Sequence, residues 1–162
     1  MVAEIPESHK AENLKLEAEA YVDLFEIILY NDTVLRLKGG DDVTWQGYLW
    51  EGYPISLTGH EIDSEKLSRP TLRAVNPEGI FSSLFISGDL EKATLYRYRV
   101  LRSDIDADRA IYQRLKWLIW NVKSITKDWV ELELRNPIDG NNFNVPARLY
   151  VQPEFPSVNL GG

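Results

Sequence analysis

The adjacent acids of "LKGGDDVTW" are the most conspicuous residues in this chain with a chemistry to offer. Asp41 and Asp42 follow a glycine pair between two β-prone stretches, the setting in which a polymerase palm presents metal-binding carboxylates. Two neighbouring acids hold magnesium only when a third carboxylate and a substrate phosphate complete the oxygen shell. A chain of 162 residues is too short for a palm with its surrounding domains, and a formal charge of −7 is wrong for holding a template. Gly-Gly-Asp-Asp is also an ordinary hairpin turn, and that reading is preferred. The second candidate, "SDIDADRAIYQRL", spaces Asp104, Asp106 and Asp108 like the first ligands of a calcium loop. Its sixth position should be glycine and is Arg109; its twelfth should be a bidentate glutamate and is Leu115. The spacing therefore predicts an exposed acidic loop.

Histidine offers little more. His9 lies in a polar N-terminal stretch, and His60 stands beside Glu61 and near Asp63, an acid–base pair in principle. No serine in a nucleophile elbow completes a triad, and no glycine-rich loop is built for phosphate. The absence of cysteine excludes disulfides, thiolate zinc and iron–sulfur ligation within these residues. No cofactor, no metal and no enzymatic activity are expected. Trp45, Trp50 and Tyr53 could stack on a sugar, which keeps open a carbohydrate- or receptor-binding module. Without a basic groove beside them, stacking on nucleic acid is disfavoured.

The elements that must position these residues read mainly as β. "AYVDLFEIILY" is apolar on both alternations, which predicts a strand covered on both faces. "VLRLKGG", "VTWQGYLWEGYPI", "PTLRAV", "KATLYRYRVLRS", "RLKWLIWNVKSITK", "DWVELELRNP" and "FNVPARLYV" supply further strands, and "NPEGIFSSLF" opens as a turn with room for a helical one. Short strands at such spacing predict a single β-sandwich or barrel-like domain over 20–152. Residues 1–19 read as an N-terminal arm or short helix, either docked on a partner surface such as another subunit or frayed, and 153–162 as a tail. The longest apolar run is broken by Asp23 and Glu26, so no membrane insertion is expected, and the N-terminus is too charged for a secretory signal.

Residues 43–85 carry a more specific pattern: Val43-Thr44-Trp45-Gln46-Gly47, then Tyr53-Pro54-Ile55, a small polar stretch, Arg69-Pro70-Thr71-Leu72 and Val75-Asn76. In order and spacing this resembles the minor tail protein L family of lambda-like long-tailed bacteriophages. The resemblance extends in general character over residues 1–150 and is sharpest at "SRPTL". It implies a structural protein of the virion tail tip, synthesised in the host cytoplasm. Copies would form a ring, a trimer by analogy, between the distal tail protein and the central hub or tail fibre protein. Tape measure and DNA would pass through the ring without specific binding. Many family members add a C-terminal cysteine segment holding an iron–sulfur cluster; "NLGG" lacks it, so the resemblance implies a short form. Under this reading Trp45, Trp50, Tyr53, Arg69, Pro70 and Arg73 are candidates for the contact between subunits. Pro70 would start a strand, and the arginines would offer planar, bidentate donors to a neighbour's carboxylate.

Overall fold

The computed structural model describes residues 5–13, 19–59 and 69–137. The chain is mainly β, with a short N-terminal helix, α1 (Glu7–Asn13). Nine strands follow: β1 (Tyr21–Ile28), β2 (Val34–Lys38), β3 (Val43–Trp45), β4 (Tyr48–Gly52), β5 (Ile55–Thr58), β6 (Thr71–Val75), β7 (Thr94–Leu101), β8 (Gln113–Ile125) and β9 (Trp129–Arg135). A 3-10 turn at Pro77–Gly79 leads into helix α2 (Ile80–Ser87), and α3 (Arg102–Asp106) continues directly from β7. The strands form one sheet in the order β3-β4-β2-β1-β7-β8-β9-β6-β5. All its pairings are antiparallel except β2 with β4.

The sheet curls on itself. Leu37 of β2, Phe25 and Ile27 of β1, Leu95 of β7, Ile119 of β8, Leu132 of β9 and Leu72 of β6 all enter one inner core, with Phe81 of α2. Ile55 and Leu57 of β5 pack against the same core, and the Tyr53 N–H donates to the Lys38 carbonyl at 2.6 Å. The last strand of the sheet thus comes back beside β2, giving a barrel-like shape. Alternation decides which side chains enter: Val130, Leu132 and Leu134 are buried while their neighbours along β9 are half-exposed.

A second core lies on the outer face. Leu24 and Val100, one from each of the paired strands β1 and β7, meet Trp45, Trp50 and Ile105. This is why β1 is apolar on both alternations: one side faces the barrel interior, the other the β3–β4 hairpin folded over it. The hairpin turns at Gln46 and Gly47, both at positive φ (53° and 76°), the two-residue geometry that matches strand twist. The expected closing strand at "FNVPARLYV" and the tail lie outside the described residues.

Candidate functional site

Among the described residues, most side chains with candidate chemistry are held in structural roles. The Asp42 carboxylate accepts from the Gly52 N–H at 2.6 Å, and the Lys38 ammonium donates to the carbonyls of Gly39 and Asp41 at 2.9 and 2.8 Å. Lys38 is buried, and those two carbonyls take part of the hydration its charge has lost. The Gly-Gly-Asp-Asp segment is thus a turn pinned against β4. Gly52 is needed there, because a Cβ would collide with the Gly40 carbonyl.

The acidic loop also scatters its carboxylates. Asp104 is buried, not exposed as the spacing predicted, and accepts from the Arg109 Nε at 2.8 Å. Asp106 pairs with Arg102, while Asp108 accepts from the Gln46 backbone N–H at 2.6 Å. Residue Arg109, which spoils the calcium pattern, is therefore the partner of the first acid. Among the described residues no three His, Asp or Glu side chains are grouped to hold a metal ion. His60, Glu61 and Asp63 lie outside the described residues.

His9 is 1% exposed. Its ring meets Tyr21 edge-on at 5.2 Å, and the Tyr21 hydroxyl donates to the His9 carbonyl and to Asn13. Glu12 of the same helix accepts from the Glu19 N–H, and Glu19 accepts from the N–H and hydroxyl of Ser103. The described part of the arm is therefore seated on its own chain. Burial pushes the His9 pKa down, Asp104 opposes that shift and Arg99 adds to it.

The residues expected at a subunit contact separate into two groups. Trp45 and Trp50 are 3% and 2% exposed, in a ring cluster with Tyr98 and Tyr112 whose centroids lie 5.3–6.2 Å apart. The Trp45 Nε1 donates to the Arg109 carbonyl at 3.1 Å. Both indoles are committed to the outer core, which corrects the expectation that they face a neighbour or a sugar. Tyr53 is half-buried against Phe81; burial raises its phenol pKa, with Glu51 and Glu78 adding to the effect. Pro70 precedes β6 as expected, and its carbonyl accepts from the Leu134 N–H. Arg69 and Arg73 remain at the surface, but they meet carboxylates of their own chain: Glu133 at 3.3 Å and Glu131 at 3.9 Å, both on the adjacent strand β9. The Arg73 guanidinium also lies 4.3 Å from the Trp129 ring centre.

Asn76, the end of the quoted pattern, is fully buried and uses its whole side chain. Its oxygen accepts from the Phe81 N–H at 2.9 Å; its amide donates to the Ser82 hydroxyl at 2.9 Å and the Thr126 carbonyl at 2.7 Å. One residue thus ties the end of β6 to the start of α2 and to the β8–β9 turn. Asn76 is therefore a scaffold residue.

No protein-family model matches the chain, and no curated protein matches it. Among the solved structures it is similar to is a chain from the virion of a native gene transfer agent particle, at 17% identity and a TM-score of 0.63. The match covers 90% of this chain and 49% of that one, so this chain spans about half the length of its structural neighbour. At that identity the likeness establishes a shared fold.

Proposed function

We propose that this protein is a structural subunit of a phage-like virion. Its finer placement, on this reading, is the tail tip, where copies form a ring linking the distal tail tube to the central hub or receptor-binding protein. The single observation that carries the reading is the fold that 90% of this chain shares with about half of a chain of a gene transfer agent virion. The resemblance of residues 43–76 to the minor tail protein L family supports the tail-tip position. The role on this reading is mechanical and not catalytic: Asp42 and Asp108 pin turns, Asp104 and Asp106 hold arginines, and His9 packs where the N-terminal helix is seated. A net charge of −7 suits a channel wall that must let DNA pass, since like charge keeps phosphate from adhering. Deleting the gene from a producing strain tests the reading. Particles should then be missing or should lack a finished tip, and supplying the chain in trans should restore them. Complete, infective particles lacking the chain would contradict it.

A further inference from the structure

The sheet's outer face treats its cations unevenly. Arg36 holds Glu26 at 3.1 Å, Arg69 holds Glu133 and Arg73 is near Glu131. Along β8 the pattern changes. Arg114 and Lys116 alternate onto the outer face and stack on Tyr96 of β7 at 5.1 and 5.7 Å, while Arg135 of β9 stacks on Trp120 at 3.8 Å. No carboxylate among the described residues lies within ion-pair range of Arg114, Lys116 or Arg135. A break in register between Ile119 and Asn121 leaves Trp120 opposite no partner residue on β9, and it stands 43% exposed. Bulges of this kind re-aim a side chain. Arg114 is also hydrogen-bonded to the Tyr98 hydroxyl, which donates to Glu26. In a chain with seven more acids than bases, cations interleaved with rings and lacking a direct carboxylate partner among the described residues suit a carboxylate-bearing partner.

The same chain carries the complement. On β4, Trp50 turns inward, so Leu49 and Glu51 alternate outward, with Leu49 55% exposed. The adjoining turn adds Asp41, whose carboxylate and that of Glu51 have no cation within ion-pair range among the described residues. We infer that the Arg114–Lys116–Trp120–Arg135 face of one copy docks the outward face of the β3–β4 hairpin of a second copy. Opposite charges would set the register, and Leu49 and Trp120 would supply apolar area. The inference rests on the reading that copies assemble with one another, and names the surfaces through which they do so.

Charge reversal with rescue tests it on the purified full-length chain, with folding checked by circular dichroism. Sedimentation velocity of the wild type should show self-association that weakens as salt is raised. Lys116→Glu, alone and with Arg114→Glu, should weaken association at least tenfold, as should Glu51→Lys with Asp41→Lys. Mixing the two reversed proteins should restore it. Because the chain has no cysteine, Lys116→Cys mixed with Glu51→Cys should give disulfide-linked dimers under mild oxidation. Association that ignores both reversals would overturn the assigned faces while leaving assembly itself intact. A chain that stays monomeric at millimolar concentration would overturn the docking as well, and the tail-tip reading would then be judged on particles alone.

Discussion

Asn76 is the residue whose truncation should be felt most widely. Asn76→Ala leaves the Phe81 N–H and the Thr126 carbonyl buried without their side-chain partner. Each such loss costs on the order of 1–3 kcal/mol, so the variant should lose about 3 kcal/mol of unfolding free energy in a urea titration. Arg69→Ala and Arg73→Ala, removing half-exposed ion pairs, should each cost less than about 1 kcal/mol in the same titration. His9 gives the chain a pH response. Its docked pKa is lowered from the ordinary 6.5 because burial penalises the charged ring. The released helix therefore binds more protons than the docked one. Docking is strongest above the ordinary histidine pKa and weakens as pH falls through it towards the lowered value. Amide hydrogen exchange over Glu7–Asn13 should quicken relative to the sheet between pH 7.5 and 5.5, after correction for intrinsic rates, and His9→Phe should remove that dependence. The sequence placed His9 in a polar arm because its neighbours are charged; its burial comes with the seating of that helix on its own chain, where the ring meets Tyr21.

At the scale of elements, much was legible wherever alternation is strict. β9 shows the expected faces, β1 is covered on both sides, and "NPEG" does open a helical segment. Strand order was not legible, because the parallel pairing of β2 with β4 across the Gly-Gly-Asp-Asp turn depends on contacts that leave no periodic trace. On β7 periodicity alone does not say which of the two alternating faces is the inner one. The face bearing Arg97 points inward with Leu95, where Asp23 takes the buried guanidinium at 2.7 Å. The tryptophans misled for a related reason: aromatic residues on a short hairpin suit either a contact surface or a second core, and only the outer faces of β1 and β7 decide between them. Trp50→Ala should cost about 3–5 kcal/mol by emptying that core. Near-ultraviolet circular dichroism of the Trp45–Tyr98–Tyr112 cluster should collapse before the far-ultraviolet sheet signal changes.

For the whole molecule, the inner barrel forms the core, and on the docking proposed above the hairpin folded over its outside and the cationic β8 face would meet between copies. The catalytic alternative that the sequence offers is His60 with Glu61 or Asp63. His60→Ala should leave particle assembly and infectivity unchanged, and a complete loss of infectivity in normally assembled particles would point to chemistry at that residue. The central claim is that this fold serves as a ring-forming part of a virion. Electron cryo-microscopy of intact particles, with this chain traced in the density, measures that most directly. The expected map has copies arranged about the tail axis at the distal end, each touching the next. A finished tail tip in which no density accommodates this chain, or in which its copies stand apart from one another, would contradict the account.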